Sequence, residues 1–218
     1  MHETLIKYHA SILIFLTLVV QASIVTQTDL LQKKLVPGKV YRREDLEPYS
    51  TAVDRDLANL VKTGALRKVA RGLYYAPRTT AFGEAPPEDK ELVRVFLKDT
   101  RFLLTSPNVY NGLGVGTTQL YNQPVVYNHK RHGVFKLGNR LYEFRMKPHF
   151  PKEATEEFLL VDLINNINSL AESREEILKK VSEKARAMDG RKLKAAIYNY
   201  GSVRTRKVFS SMLDKHIK

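Results

Sequence analysis

Between residues 50 and 77 the chain passes from a helical to a strand rhythm across a single glycine, and that passage restricts the fold most. Val53, Leu57, Leu60 and Val61 are spaced i, i+4, i+7 and i+8, one apolar stripe along a helix. Ser50 is a good N-cap for that helix, which the pattern carries to about Lys62. Gly64 supplies the stop. Residues 66–69 and 73–76 then read as two short strands around Ala70-Arg71-Gly72, a tight hairpin. Upstream, Leu30, Leu31 and Leu35 suit the core side of a short helix that ends before Pro37-Gly38. Arg42 to Leu46 forms a second short helix, ended by Pro48.

Helix, short helix, helix and hairpin is the order of a winged helix-turn-helix, whose later helix enters the major groove while the hairpin lies on the backbone. At about 100° per residue, the side turned away from Leu57 carries Thr51, Ala52, Arg55, Asn59 and Lys62. Arg55 suits guanine O6 and N7, Asn59 suits adenine N6 and N7, and Thr51 a phosphate or a thymine methyl. Arg42, Arg43, Lys62, Arg67, Lys68 and Arg71 are the candidate phosphate contacts. The plainer alternative is a set of solvated charges on a small domain.

Charge favours a polyanionic partner. Thirty-six Lys and Arg against 23 Asp and Glu leave +13. The excess is densest from residue 184 to 218, with ten basic and two acidic side chains. The absence of cysteine excludes disulfide scaffolds, Cys-ligated zinc, iron–sulfur clusters and thiol catalysis. A hydrophobic share of 43% is enough for packed cores, and 218 residues allow two small domains.

The stretch A-V-D-R-D-L-A-N-L-V-K-T-G-A-L-R-K-V-A-R-G-L-Y-Y-A-P, residues 52–77, resembles the N-terminal winged helix of AbiEi-type antitoxins. These are the regulatory halves of bacterial abortive-infection toxin–antitoxin pairs. The resemblance continues through L-T-S-P-N-V-Y-N-G-L-G at residues 104–114, read as a helix ending in Gly-Leu-Gly, and through residues 158–167 and 193–201. It covers about residues 28–215. It implies a DNA-binding transcriptional autorepressor in the bacterial cytoplasm, opposing a nucleotidyltransferase-like toxin without requiring a stable complex with it. The positions it carries over are Thr51, Arg55, Asn59 and Arg71. It brings no catalytic residue, so the expectation is a protein that is not an enzyme.

The expected class is α+β. A winged helix-turn-helix over residues 28–82 is followed by a mixed, mainly helical C-terminal antitoxin-like domain over 83–218 with a small antiparallel sheet. Gly83, Pro86 and Pro87 suit a linker. Residues 125–127, 134–137 and 141–146 are strand-like, with Gly138-Asn139 as a hairpin turn. Helices are expected over about 155–170, 173–187, 190–200 and 203–216. On the last two, Arg191, Lys192, Lys194, Arg204, Arg206 and Lys207 interleave with Tyr198 and Tyr200, a basic face able to hold a phosphate backbone and stack a base. RNA is therefore a second possible partner beside operator DNA. An RNA-binding or adaptor protein is the alternative function, and a metal-dependent nucleic-acid enzyme a remoter one.

The apolar run I-L-I-F-L-T-L-V-V at residues 12–20 imitates a signal peptide yet falls short of the about 20 residues of a membrane span. Residues 1–27 are thus set apart, and no membrane partner is expected. His129 and His132, placed on a strand, point to opposite faces beside Lys130 and Arg131, a poor metal site. Gly112, Gly114 and Gly116 lack the Lys-Ser/Thr of a phosphate loop and suit a helix C-cap. No metal and no cofactor is expected.

Overall fold

The computed structural model describes residues 27–115 and 121–214. The apolar run at residues 12–20 and Gly116 lie outside them. Among the described residues, helices and three small sheets make a mixed helix–strand architecture. Contacts divide it into two compact units, one up to Glu88 and one from Asp89. No helix among the described residues is long and apolar enough to cross a membrane.

In the N-terminal unit, α1 (Gln27–Gln32) leads to β1 (Val40–Arg42), α2 (Arg43–Leu46), a 3-10 turn (Glu47–Tyr49) and α3 (Val53–Lys62). The hairpin β2 (Arg67–Ala70) and β3 (Leu73–Tyr75) follows, and β1 joins its far side in the antiparallel order β1-β3-β2. β1 lies in a stretch that the sequence pattern left unassigned. It forms because Arg42 pairs opposite Leu73 while the Arg43 amide donates to the Gly72 carbonyl at 3.0 Å. Gly72 takes φ +70° at the hairpin tip, where a side chain is disfavoured. Leu31, Leu46, Leu57, Leu60 and Leu66, each no more than 1% exposed, form the core.

Two expectations need correction here. Ser50 is not the N-cap of α3: Ala52 holds that position. The Ser50 hydroxyl instead accepts the Ala52 amide at 3.0 Å and donates to the buried Asp56 carboxylate at 2.6 Å, a charge-assisted bond that outweighs a cap. The stretch read as a linker from Gly83 begins with the second strand of a hairpin, β4 (Arg78–Thr80) and β5 (Gly83–Ala85), so the 82/83 boundary separates two paired strands. The Tyr75 hydroxyl donates to the Ala85 carbonyl at 2.6 Å and holds this hairpin to the unit.

The C-terminal unit opens with α4 (Asp89–Leu97) and builds a four-stranded sheet from β6 (Phe102–Thr105), β7 (Val125–Asn128), β8 (Gly133–Leu137) and β9 (Arg140–Met146). The order is β6-β7-β9-β8, with β7 parallel to β9. The sheet is therefore mixed, not antiparallel as expected. The four residues after β7 carry the chain over one strand position, about 10 Å, and β9 fills the gap. Buried Asn128 shapes that turn: its Oδ1 accepts the Lys130 and Arg131 amides at 2.8 and 2.6 Å. His129 and His132 thus sit in a turn and not on a strand.

Residues 104–114 form no α-helix. They hold the end of β6 and a 3-10 helix, Pro107–Leu113, with Gly114 in the left-handed C-cap position. Four helices complete the unit: α5 (Glu156–Asn165), α6 (Arg174–Ala187), α7 (Gly190–Tyr200) and α8 (Val203–Asp214). α5 stops at Asn165, earlier than the pattern suggested, and a 3-10 turn covers Ile167–Ser169. Leu160, Val161, Leu163, Val181 and Phe209 are at most 0% exposed and form the centre of its core.

Candidate nucleic-acid interfaces

The stripe that buries Val53, Leu57 and Leu60 leaves Arg55, Asn59 and Lys62 exposed on α3, at i, i+4 and i+7. Thr51 is exposed but precedes the helix, in the turn that leads into it. The Arg55 side chain is 71% exposed, with Asp56 Oδ1 3.8 Å from its Nε. On the hairpin, Lys68 and Arg71 are exposed. Lys62, Lys68 and Arg71 form no ion pair among the described residues.

Three of the six expected phosphate contacts are already engaged by carboxylates. Arg43 grips Asp54 through two bonds of 2.7 and 2.9 Å and reaches Glu47 at 3.1 Å. Arg67 grips Glu84 of β5 through two more, 2.7 and 3.2 Å. Arg42 lies 3.5 Å from Glu44, and its amide donates to Asp45 in a capping box. Fork-to-fork geometry of this kind orients the guanidinium and neutralises it, which weakens it as an anion site. Asp54 and Glu84 lie 11 and 17 residues from their arginines in sequence, so no local spacing announced those two pairs.

Asp56 is a further residue that the sequence reading overlooked. It is 1% exposed. The Ser50 hydroxyl holds its carboxyl below the usual carboxylate range, and Thr28, donating at 2.8 Å, adds to this. The three segments that must meet to present α3 are thereby joined: the start of α1, the turn before α3, and α3 itself.

In the C-terminal unit, Arg191, Lys192 and Lys194 on α7 and Arg204, Arg206 and Lys207 on α8 are all exposed. Tyr198 is 74% exposed, whereas Tyr200 is half-buried and packs edge-on against Phe158 at 5.2 Å. The two tyrosines therefore do different work. The Arg206 guanidinium lies over the Tyr198 ring at 5.5 Å and donates to the Tyr198 carbonyl at 2.7 Å.

No family model, no curated protein and no solved structure matches the chain.

Deeper in this unit lies a second group absent from the sequence reading. Asp162 is fully buried and accepts from the Tyr110 hydroxyl at 2.8 Å, the Tyr127 hydroxyl at 2.8 Å and Lys147 Nζ at 3.0 Å. Asn166 donates to both hydroxyls at 3.2 and 3.1 Å, and Arg145 donates to Asn166 at 2.8 Å. Burial, then the charge of Asp162, pushes both phenols well above their ordinary range, so they serve as donors at neutral pH. Every charge here has a partner, and the group joins the 3-10 helix, β7, β9 and α5 into one body. Among the described residues no group of three or more His, Asp or Glu is placed to hold a metal.

Proposed function

We propose that the chain is a DNA-binding transcriptional autorepressor that acts as the antitoxin of a bacterial toxin–antitoxin pair. The N-terminal unit is read as a winged helix-turn-helix: α1, α2, α3 and the β2–β3 hairpin follow in that order, with β1 added to the hairpin. The observation that carries this reading is the exposed stripe Arg55, Asn59 and Lys62 on α3 together with exposed Lys68 and Arg71 on the hairpin, which form no ion pair among the described residues. A guanidinium and a carboxamide one turn apart suit purine edges in the major groove, and cations on the hairpin suit phosphates. Lys62, Lys68 and Arg71 are the preferred phosphate contacts; Arg42, Arg43 and Arg67 support the unit through their carboxylates. The antitoxin role, against a nucleotidyltransferase-like toxin as functional partner, rests on the sequence resemblance to AbiEi-type antitoxins.

Fluorescence anisotropy on the DNA upstream of the gene, against scrambled duplex, tests the reading. A preference of about 10³-fold or more, with affinity falling steeply in salt, is expected. Arg55→Ala should cost about 1–3 kcal/mol on the operator and relax the preference at one base pair, whereas Arg71→Ala should weaken both duplexes alike. Equal binding of wild-type protein to both duplexes defeats the proposal.

A further inference from the structure

The cations of the C-terminal unit lead to a cleft. Its volume is about 530 Å³, and His129, His149, Phe150, Tyr198, Asn199 and Arg206 line it. That size lies within the range of small-ligand sites, about 300–1,000 Å³. Three separate segments build it: the turn after β7, the loop after β9, and the α7–α8 corner. The His129 imidazole stacks on the Phe150 ring at 4.6 Å and 26°, forming one aromatic wall. Tyr198 forms another, and the guanidinium over it supplies charge beside an aromatic face.

Burial does not explain Tyr198, because its ring is 74% exposed. Among the described residues its ring meets α8 only through the Arg206 guanidinium lying over it, and the Arg206 bond to its main-chain carbonyl would survive loss of the ring. Arg191 and Lys194 precede Tyr198 on the same stripe of α7, seven and four residues back, so a line of positive charge runs into the cleft. Asn199 adds an exposed carboxamide, able to donate to and accept from a base edge.

We infer that this cleft binds single-stranded nucleic acid, with one base stacked on Tyr198, its phosphate on Arg206, and the neighbouring backbone following Lys194 and Arg191. Aromatic faces and cations along one track are the means by which proteins hold single strands without needing a duplex groove. A folded duplex offers no unstacked base to Tyr198. The residues of this site all belong to the C-terminal unit, and none of them is assigned to operator recognition.

Anisotropy of the full-length protein with a labelled single strand of about 12 nucleotides, as RNA and as DNA, tests this directly. Tyr198→Ala should raise the Kd for the single strand about tenfold and leave that for duplex unchanged. Arg206→Gln should do the same. Neither side chain contributes to the core, and an unchanged melting temperature confirms that the fold is kept. Arg55→Ala should leave single-strand binding untouched, so the failure of one site is visible apart from the other. Tighter binding of RNA than DNA would identify the ligand as RNA; equal affinity with the same loss on Tyr198→Ala would identify single strands of either kind. Equal Kd values of wild type and Tyr198→Ala for the single strand, or an equal loss by Tyr198→Ala on single strand and duplex, overturn the inference.

Discussion

Asp162 shows how much one side chain can carry. Its carboxylate is fully buried and receives two phenols and an ammonium. Truncating one member of such a group leaves the others buried and unpaired, which costs more than the bonds contributed. Asp162→Ala should therefore destabilise the C-terminal unit by about 3 kcal/mol, measured by chemical denaturation. Lys147→Met should cost less, because Lys147 is 25% exposed and water can partly replace it. Equal effects would mean that the ammonium, and not the carboxylate, organises the group.

Among the elements, the corner between α7 and α8 depends on Gly201. Its backbone is ordinary extended chain, so left-handed strain is not the reason. The reason is space: a Cβ there would stand 2.5 Å from the Ile197 carbonyl oxygen and 3.2 Å from Arg206 Cγ. Asn165 fixes the same corner, donating to the Tyr200 carbonyl at 3.0 Å and accepting the Ser202 amide at 2.9 Å. Ser202 caps α8 through the Thr205 amide at 3.1 Å. Gly201→Ala should force α7 and α8 apart, at a cost of about 1–3 kcal/mol, and displace Arg206 from Tyr198. Thermal melting together with single-strand binding checks it: both should fall, and a loss of neither would show that the corner tolerates a side chain.

Each unit has its own core, one centred on Leu57, Leu60 and Leu66 and the other on Leu160, Val161 and Phe209. Cores of this kind can melt separately, and the full-length chain should show two calorimetric transitions. Asp56 should mark one of them. Its carboxyl is held below its ordinary range in the folded unit, so its contribution is complete above the unfolded value of about 4. That contribution is lost as pH falls through the lower, folded value. Asp56→Asn should lower the N-terminal transition at pH 7, and the difference from wild type should shrink as acid is added below about pH 4. The C-terminal transition should not respond. A single transition, or one that moves as a whole, would contradict two independently folding cores.

The stripe of α3, the Gly72 hairpin, the Gly138-Asn139 turn and three of the last four helices could be read from the sequence. Each is encoded by neighbours within one or two turns, where apolar period and breaker residues act directly. The expected exposure of Arg55, Asn59 and Lys62 follows from the same period. What distant segments decide stayed hidden. β1 exists because β3 offers it an edge, and β7 runs parallel to β9 because a four-residue turn skips one strand. Arg43 and Arg67 looked like phosphate anchors until Asp54 and Glu84 came to face them. Asp162 stood unremarked among apolar neighbours on α5, and His129, Phe150 and Tyr198 share a cleft across as many as 69 residues of chain. Local rhythm specifies which elements form; pairing of charge and closing of clefts are properties of segments that meet only when the chain has folded.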